Sequence, residues 1–432
     1  MILQRHDNIA FSTPGEIRAV QAGLLQQHVQ HCSEHSPFYR DLLRQRGIDG
    51  RNVELDNLRQ LPVTDKEDLE GANDQFLAVP VERVVDIVQS SGTTGRPTRI
   101  MYTSADLDRL AYNEYKSFAA AGLTDADVIL LTCTMDRCFI AGLAYFLGLR
   151  ELGAATIRNG HGTMESHRDL IHRLRPTAIV GVPSFLRKLA VFMQERGETP
   201  AAVGVRRLVC IGEPVRDQTL ASLPLGQDLA NLWAAKVYST YASSEIITSF
   251  CECEAGTGGH LHPDLAVLEI LDDQGNAMPD GEIGEVVVTP LQIEGMPLLR
   301  FRTGDLSFQR TERCVCGRNT PRLGPILARR KQMIKLKGTT LYPEMIARAL
   351  DEFGDIGEYY VEVTYADVLS DRVIVHAYPK HAGLTADAVS DFLSSRLRTR
   401  PLVVIETEAA IRQVVFSPHS RKPVRFVDRR NP

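Results

Sequence analysis

Two kinds of apolar pattern alternate along the first half of the chain. Apolar residues at helical spacing predict helices over residues 14–46 (with a break near Ser36-Pro37), 105–122, 165–174 and 184–196. Short apolar runs between them predict strands at residues 128–131, 178–182 and 207–211. Strands that alternate with helices form β-α-β units, so the pattern predicts a mainly parallel sheet.

The pattern changes after residue 237. Residues 237–310 are rich in short strand-like runs separated by Gly and Asp turns, which predicts a smaller antiparallel or barrel-like subdomain. The polar run Arg329-Arg330-Lys331-Gln332 then indicates a boundary, with a large domain over 1–328 and a small α+β domain over 329–432. The small domain has predicted helices at 343–353 and 385–397 and strands at 359–364 and 372–378. The predicted fold class is α/β.

Composition narrows the class of protein. The 432 residues are 44% hydrophobic and 24% charged, which is typical of a globular domain protein. A formal net charge of −5 argues against a nucleic-acid binder. The start of the chain lacks a signal-peptide pattern, and we find no apolar stretch long enough to span a membrane, so we expect a cytoplasmic protein. Eight cysteines are too few for a disulfide scaffold.

A glycine- and hydroxyl-rich stretch gives the strongest chemical signal. Ser90-Ser91-Gly92-Thr93-Thr94-Gly95-Arg96-Pro97-Thr98 follows a predicted strand at 84–88 and precedes another at 99–103. Glycines let a backbone approach an anion, and hydroxyls, N–H groups and Arg96 can then bind phosphate oxygens. The stretch lacks the Gly-Lys-Ser/Thr ending of a Walker loop.

This stretch resembles the phosphate loop of the adenylate-forming superfamily, whose usual form is SSGTTGKPT. The difference is Arg96 in place of Lys, which keeps the charge but changes its shape. The resemblance implies that the loop binds ATP and that AMP is a product. The residues it assigns to the phosphates are Ser91, Gly92, Thr93, Thr94, Gly95 and Arg96.

Two further motifs follow in the order that this superfamily shows. Tyr241-Ala242-Ser243-Ser244-Glu245 resembles its Tyr-Gly-x-Ser/Thr-Glu segment, which implies Tyr241 against adenine, Ser244 at the α-phosphate and Glu245 on Mg²⁺. Gly212-Glu213-Pro214 resembles its adenine-contacting loop. Ala242 replaces the usual glycine.

The remaining motifs lie towards the end of the chain. Phe301-Arg302-Thr303-Gly304-Asp305 resembles the segment whose aspartate accepts hydrogen bonds from the ribose hydroxyls, and it implies a catalytic role for Arg302. Arg329 occupies the position of the arginine before the hinge. Lys422 matches the catalytic lysine that steadies charge during adenylation.

Several segments are similar to the phenylacetate–coenzyme A ligase branch of the superfamily. They include Leu61-Pro62-Val63-Thr64-Asp65-Lys66, where Thr64 or Asp65 is placed to cap a helix, and Cys314-Val315-Cys316-Gly317-Arg318. The branch implies thioester formation with coenzyme A, for which Gly338 lies in the loop beside the pantetheine arm. It also implies a homodimer.

The paired cysteines favour a structural zinc site over disulfides. Cys253, His260, Cys314 and Cys316 would supply three sulfurs and one nitrogen in a closed tetrahedral set. Cys251 and His262 lie close enough in sequence to replace a member of this set.

Three residues fall where the branch lines its acid pocket: Asp136, Arg137 and Phe139. Two charges in an apolar pocket would be costly unless they meet a polar group, so one hypothesis is an acid that carries an amino or hydroxyl group. The alternative is an Asp–Arg pair that faces away from the pocket.

The predicted function is AMP-forming activation of an aryl or small carboxylic acid, followed by thioester formation with coenzyme A. One alternative is an adenylating enzyme with a different acceptor, such as a carrier protein or an amine. Another is a nucleotide-binding regulator without catalysis, against which the presence of Lys422, Glu245 and Asp305 argues.

Overall fold

The computed structural model describes residues 2–50, 53–89, 98–336, 339–367, 370–381, 383–397, 399–416 and 423–430. The chain forms two compact units, Met1–Ile326 and Leu327–Pro432. Among the helices of these described ranges, none combines the length and the apolar content needed to cross a bilayer.

Within the described residues, eight α-helices lie in the first unit: α1 Pro14–His35, α2 Pro37–Gln45, α3 Lys66–Gly71, α4 Ser104–Ala120, α5 Ile140–Leu152, α6 Met164–Leu174, α7 Pro183–Gln194 and α8 Pro224–Trp233. Three lie in the second: α9 Pro343–Phe353, α10 Ala386–Leu397 and α11 Glu408–Val415. The break between α1 and α2 at Ser36 is the one that the sequence predicts. The capping residue of α3 is Asp65, whose carboxylate accepts hydrogen bonds from Glu67 N and Asp68 N.

The first unit contains fourteen strands within the described residues: β1 Val84–Gln89, β2 Arg99–Thr103, β3 Val128–Leu131, β4 Ala155–Arg158, β5 Ala178–Gly181, β6 Arg207–Ile211, β7 Lys236–Ser243, β8 Thr248–Glu252, β9 Gly259–His260, β10 Ala266–Leu271, β11 Gly284–Pro290, β12 Phe301–Ser307, β13 Gln309–Arg310 and β14 Arg322–Leu323. The described part of the second unit adds seven: β15 Ala328–Arg329, β16 Ile334–Leu336, β17 Thr339–Leu341, β18 Ile356–Asp367, β19 Ser370–Pro379, β20 Leu402–Ile405 and β21 Phe426–Asp428.

The central sheet of the first unit has nine strands in the order β13-β14-β9-β8-β7-β6-β5-β3-β4. Strands β4, β3, β5, β6 and β7 run parallel, which confirms the predicted parallel sheet. Side chains of the strands pack with α4 and α5 in one apolar cluster and with α6, α7 and α8 in another. Burial on both sides explains the continuous apolar runs of β3, β5 and β6.

The strand-rich stretch after residue 237 does not form one subdomain, which differs from the sequence prediction. Its first strands, β7 to β9, extend the central sheet, because β7 is parallel to β6 and β8 turns back against β7. Strands β10, β11 and β12 form a separate antiparallel sheet. Strands β1 and β2 form an antiparallel pair of their own.

The second unit is built on the antiparallel pair β18 and β19. Strand β21 lies parallel to β18, and β20 lies parallel to β19. Apolar residues of α9 and α10 pack on this sheet in one cluster, while Ile411 and Val415 of α11 pack with Tyr360 in another. This is the predicted α+β arrangement.

Helix α5 is absent from the sequence prediction because apolar residues cover most of its surface and two glycines interrupt it. One of them, Gly148, packs directly on α4. A Cβ atom at Gly148 would lie 2.3 Å from Glu114 Cβ and 2.9 Å from Glu114 C. The helix pair therefore has no room for a larger residue at this position.

We expect Gly148→Ala to lower the free energy of unfolding of the first unit by about 1–3 kcal/mol, because the clash involves backbone that cannot move freely. The measurement is chemical denaturation followed by the fluorescence of Trp233, the single tryptophan, which is buried in this unit. Gly23→Ala in α1 is the control, since no atom lies within 4 Å of the added Cβ. That change should stabilise the helix by about 0.5–1 kcal/mol. Equal effects of the two changes would contradict the packing argument.

Candidate active site and metal centre

The carboxyl ends of parallel strands β5, β6 and β7 meet at one edge of the central sheet. Ile211 at the end of β6 is paired with Thr240 of β7, so Gly212 and Tyr241 leave neighbouring strands side by side. Crevices outside the carboxyl ends of such strands are the usual ligand sites of parallel sheets. The predicted motifs at 212–214 and 241–245 therefore share one edge.

The side chain of Glu213 fixes the loop that follows β6. Its carboxylate accepts hydrogen bonds from Ser184 N at 2.9 Å and Ser184 Oγ at 2.8 Å, at the start of α7. Gly212 has a φ of +75°, which a residue with a side chain rarely adopts. Gly212 and Pro214 are exposed, so the loop offers its backbone to a ligand.

A hydrogen bond joins the central sheet to the second sheet at this edge. The hydroxyl of Tyr241 on β7 donates to Asp305 Oδ2 on β12 at 2.8 Å. Asp305 is buried, and its N–H donates to Thr303 Oγ1 at 3.1 Å. Two motifs that are 64 residues apart in sequence thus lie in contact.

Arg302 precedes this aspartate by three residues and is held by acceptors of its own sheet. Its Nε lies 3.0 Å from Glu285 Oε2, and its Nη2 donates to Asp272 O at 3.2 Å. The other oxygen of Glu285 accepts from Gly304 N at 3.2 Å. Glu285 therefore fixes both the guanidinium and the turn before Asp305.

Ser244 and Glu245 lie on the turn between β7 and β8. Ser244 O accepts a hydrogen bond from the hydroxyl of Tyr102 at 3.0 Å. Burial raises the pKa of Tyr102 well above its usual range, and the nearby charge of Glu245 adds to the effect, so the hydroxyl stays a donor. Glu245 Oε1 lies 3.9 Å from Lys66 Nζ at the start of α3.

Some predicted site residues lie outside the described residues: Ser91, Gly92, Thr93, Thr94, Gly95, Arg96, Gly338 and Lys422. Strands β1 and β2, which flank the predicted phosphate loop, pair from Val84 with Thr103 to Gln89 with Arg99. Gln89 N donates to Cys138 O at 2.8 Å. Arg329 lies at an exposed position of β15.

The loop after β3 carries the predicted pocket residues at the same sheet edge. Asp136 and Arg137 are exposed and Phe139 is half-buried. The hydroxyl of Thr134 donates a hydrogen bond to Asp136 Oδ1, and this bond is the main cause that lowers the pKa of Asp136. Since both charges are exposed here, neither carries the cost of burial in an apolar pocket.

A second cluster, the metal-ligand cluster, consists of Cys253, His260, Cys314 and Cys316. One ligand atom from each residue lies within 4.8 Å of all the others. The Sγ atoms of Cys253 and Cys314 are 3.7 Å apart, and Cys316 Sγ is 3.5 Å from His260 Nε2. A tetrahedral zinc site with Zn–S of about 2.3 Å and Zn–N of about 2.0 Å requires a sulfur–sulfur distance of about 3.8 Å and a sulfur–nitrogen distance of about 3.5 Å.

Neighbouring side chains orient two of these ligands. His260 Nδ1 is 2.9 Å from Thr320 Oγ1, which leaves Nε2 directed to the sulfurs. Burial, with the charges of Arg318 and Arg322, lowers the pKa of His260 to about 3, so the ring is neutral. Arg318 Nη1 donates to Cys316 Sγ at 3.4 Å.

The two competing ligands lie elsewhere. Cys251 Sγ accepts a hydrogen bond from Thr240 Oγ1 at 3.2 Å within the core of the central sheet. His262 Nε2 is 3.0 Å from Ser117 Oγ. In the described part of the chain, the geometry therefore selects His260 and Cys253 from the alternatives.

His262 belongs to a buried polar network between α4 and β8. Ser117 Oγ is 2.9 Å from Ser249 Oγ, which accepts from Asn113 Nδ2 at 2.7 Å. Asn113 also donates to Glu114 at 3.0 Å. Burial raises the pKa of Glu114 to about 7.

The sequence motifs do not identify several residues that contact the two sites. Lys66 and Arg318 lie inside segments that resemble the phenylacetate–coenzyme A ligase branch. The sequence therefore points to these two segments but does not predict the contacts of the two side chains. Ser184 and Thr320 carry no signal, since single hydroxyl residues in loops are common.

Comparison with known proteins gives consistent matches. The sequence profile of the AMP-binding enzyme family matches residues 44–293. A phenylacetate–coenzyme A ligase of Thermus thermophilus is 34% identical over 80% of this chain and 77% of its own. One from Escherichia coli is 29% identical over 98% of each chain. The crystal structure of a 2-hydroxyisobutyryl-CoA ligase in the postadenylation state, in complex with R3-HIB-AMP, has a TM-score of 0.85 at 22% identity and covers 98% of this chain and 91% of that one.

We expect Glu114→Gln to change how stability depends on pH. The ordinary pKa of this group is 4.5 and its folded value is about 7, so the unfolded chain releases the proton first. The titration of Glu114 should therefore lower the free energy of unfolding of the wild type by about 3 kcal/mol as pH rises from below 4.5 to above 7.

The measurement is the difference in unfolding free energy between Glu114→Gln and wild type from pH 4 to pH 8, again by Trp233 fluorescence. The variant should match wild type at the acid end and gain on it as pH rises. A difference that is constant over this range would contradict a buried, neutral Glu114.

Proposed function

The chain belongs to the AMP-binding enzyme family, in its phenylacetate–coenzyme A ligase-like branch, and we infer from this membership that it is an AMP-forming acid–coenzyme A ligase. It activates a carboxylic acid with ATP to an acyl-adenylate and then forms a thioester with coenzyme A. A different acceptor is not favoured, because coenzyme A ligases recur among its relatives.

The observation that carries the nucleotide assignment is the contact between Tyr241 and Asp305, at the edge where Gly212 also lies. Tyr241 is proposed to lie against adenine, beside the backbone of Gly212, Glu213 and Pro214. Asp305 is proposed to accept hydrogen bonds from the ribose hydroxyls, since a carboxylate can accept several. Ser244 is proposed to contact the α-phosphate.

Adenylation needs positive charge and a bound divalent cation around the phosphates. In the proposal, Ser91 to Arg96 bind the outer phosphates and Glu245 holds Mg²⁺, which would neutralise charge on the phosphate oxygens. Lys66, 3.9 Å from Glu245, supports an anion-binding role for this corner of the site.

In the first half-reaction, an oxygen of the acid's carboxylate attacks the α-phosphorus of ATP and pyrophosphate leaves. Lys422 and Arg302 are proposed to stabilise the negative charge that develops there. Glu285 supports this role for Arg302 by fixing its guanidinium. In the second half-reaction, the thiol of coenzyme A attacks the acyl carbonyl and AMP leaves, with Gly338 beside the pantetheine arm and Arg329 at the hinge.

The acid is proposed to be an aryl or small acid with an amino or hydroxyl substituent. Asp136 supports this, because it is an exposed carboxylate that accepts a hydrogen bond from Thr134 and stands in the same loop as the half-buried Phe139. An ionised carboxylate attracts a donor group and offers nothing to an unsubstituted ring. Arg137 would then border the same pocket.

A structural zinc ion is proposed for the metal-ligand cluster. Cys253, Cys314 and Cys316 with His260 supply a donor set that suits zinc, and the separations of 3.7 Å and 3.5 Å agree with a tetrahedron. Zinc there would join the end of β8 to the loop that carries Cys314. Its role would be structural, since four protein ligands leave no open position.

Two broader properties follow from the family resemblance alone. The resemblance favours a homodimer, which light scattering during size-exclusion chromatography would measure. It also favours a location in the cytoplasm.

The test of the catalytic proposal is an assay of pyrophosphate and AMP with ATP, Mg²⁺ and a panel of acids, with and without coenzyme A. We expect acid-dependent pyrophosphate, thioester on addition of coenzyme A, and higher kcat/KM for amino- or hydroxy-substituted aryl acids than for phenylacetate. Lys422→Ala should abolish pyrophosphate formation but leave a supplied acyl-adenylate convertible to thioester, since the lysine acts only in the first step.

Lys380→Ala is the control for Lys422→Ala, because it removes an exposed lysine side chain of the same unit whose ammonium donates to Gly354 O. Equal loss of both half-reactions in Lys422→Ala would contradict its assigned role. A preference for phenylacetate would contradict the assignment of Asp136.

For the metal proposal, untagged wild-type protein should contain about one zinc ion per chain by elemental analysis, as four ligands of one cluster imply. Cys316→Ser should lose it, because a serine hydroxyl is a poor zinc ligand. Cys251→Ser should retain it, since Cys251 bonds Thr240 instead. Absence of zinc from the wild-type protein would rule the site out.

A further inference from the structure

We propose that Arg109 and Tyr102 are positioning residues that aim Glu245 at the nucleotide's metal ion by holding the turn 244–247 from behind. The inference rests on the proposed role of Glu245. It concerns two side chains whose hydrogen bonds to the turn, among the described residues, reach carbonyl oxygens and not the side chains of Ser244 and Glu245. Both act through backbone carbonyl groups of the turn.

The turn 244–247 contains a residue under backbone strain. Ile247 has a φ of +47°, in the left-handed region, although its side chain is β-branched and buried. Such a residue is an outlier that persists only where surrounding contacts enforce it, and outliers of this kind gather at functional sites. Ile247 stands two residues after Glu245, so the path of the chain from Glu245 into β8 runs through this left-handed residue.

Arg109 supplies the enforcing contact at the far end of the turn. Its Nη1 donates to Ile247 O and its Nη2 donates to Thr248 Oγ1 at 3.2 Å. The guanidinium is fully buried on α4. A planar fork with several fixed donors can satisfy neighbouring acceptors together, whereas the ammonium of a lysine is a single point.

The same guanidinium also fixes two more loops. Its Nε donates to Leu291 O at 2.6 Å, and its Nη2 donates to Leu265 O. Gln292, which follows Leu291, is itself left-handed with a φ of +61°. Arg109 therefore holds the turn in a fixed position relative to the connections that lead into β10 and β12. Strand β12 carries Asp305.

Tyr102 holds the near end of the turn. Its buried hydroxyl donates to Ser244 O at 3.0 Å, one residue before Glu245. With Arg109 on Ile247 O, both ends of a four-residue turn are anchored to buried donors on β2 and α4. Glu245 lies between two fixed points.

The test measures the Mg²⁺ concentration that gives half-maximal acid-dependent pyrophosphate release at saturating ATP. In parallel, electron paramagnetic resonance measures the dissociation constant of Mn²⁺ from the ATP-bound enzyme without acid, and in each variant it should change in the same direction as the half-maximal Mg²⁺ concentration. Arg109→Lys keeps the charge but loses the fork, and should raise this concentration by about tenfold or more, as expected for a misplaced ligand. Tyr102→Phe keeps the buried ring and should raise it in the same direction by a smaller factor. If Arg109→Lys does not fold, the result for Tyr102→Phe alone decides the test.

Two matched control variants carry the same types of substitution at residues away from the turn. Arg216→Lys changes an arginine that bonds Glu252 and Val237 O, away from the turn. Tyr39→Phe removes a buried hydroxyl that bonds Thr64 and Leu299. Both should leave the half-maximal Mg²⁺ concentration within about twofold of wild type, whatever they do to thermal stability.

Glu245→Gln tests the metal-binding role of Glu245 separately from its positioning by Arg109 and Tyr102. If Glu245→Gln shifts the Mg²⁺ dependence while Arg109→Lys and Tyr102→Phe do not, the positioning inference is wrong and the role of Glu245 stands. If Glu245→Gln leaves the dependence unchanged, the proposed role of Glu245 is wrong. A shift in the controls as large as in Arg109→Lys would mean a general loss of stability and would also overturn the inference.

Discussion

The burial of the Arg109 guanidinium is the constraint on which the first unit depends. A charge removed from water is costly unless hydrogen bonds replace its hydration. Its acceptors come from three separate connections, at residues 247–248, 265 and 291. Burial lowers the pKa of Arg109 to about 10, so the group stays charged at neutral pH and the three connections must stay together around it.

Helix α4 repeats this principle along its length. Asp106 accepts from Glu294 N at 2.7 Å and Gly295 N at 2.9 Å, and Lys116 pairs with the buried Asp264 at 2.9 Å. The four residues concerned recur every three or four positions and so share one face of the helix: Asp106, Arg109, Asn113 and Lys116. One buried face of α4 is therefore polar, and it is satisfied by backbone groups of the surrounding loops together with the side chains of Ser249 and Asp264.

This face also marks how far the sequence can predict the structure. The helix at 105–122, the parallel strands and the small α+β unit all follow from apolar periodicity, because ordinary burial produces it. Periodicity assigns Asp106, Arg109 and Lys116 to solvent, since charged residues are rarely buried. The motif residues Tyr241 and Asp305 were found by resemblance, but their mutual contact depends on strand register, which local sequence does not encode.

The same limit applies to the contacts around Glu245 and the metal-ligand cluster. Spacing proposes the set of cysteines and histidines, yet the choice of His260 over His262 depends on the path of the chain after β9, which ends at His260 and places His262 against Ser117. Lys66 reaches Glu245 because α3 begins where the Asp65 cap allows it. Contacts between residues that are this far apart in sequence are determined by the tertiary fold.

The loop after β3 keeps its shape through main-chain bonds. Gln89 N donates to Cys138 O, Gly142 N donates to Thr134 O, and Arg137 and Cys138 hold left-handed conformations between them. The side chain of Asp136 adds the hydrogen bond that it accepts from the hydroxyl of Thr134 in the same loop. On the proposed assignment of Asp136, Arg137 and Phe139 to the acid pocket, the main-chain bonds would preserve the loop while divergence among relatives, or randomisation in the laboratory, changes these three side chains and with them the substrate.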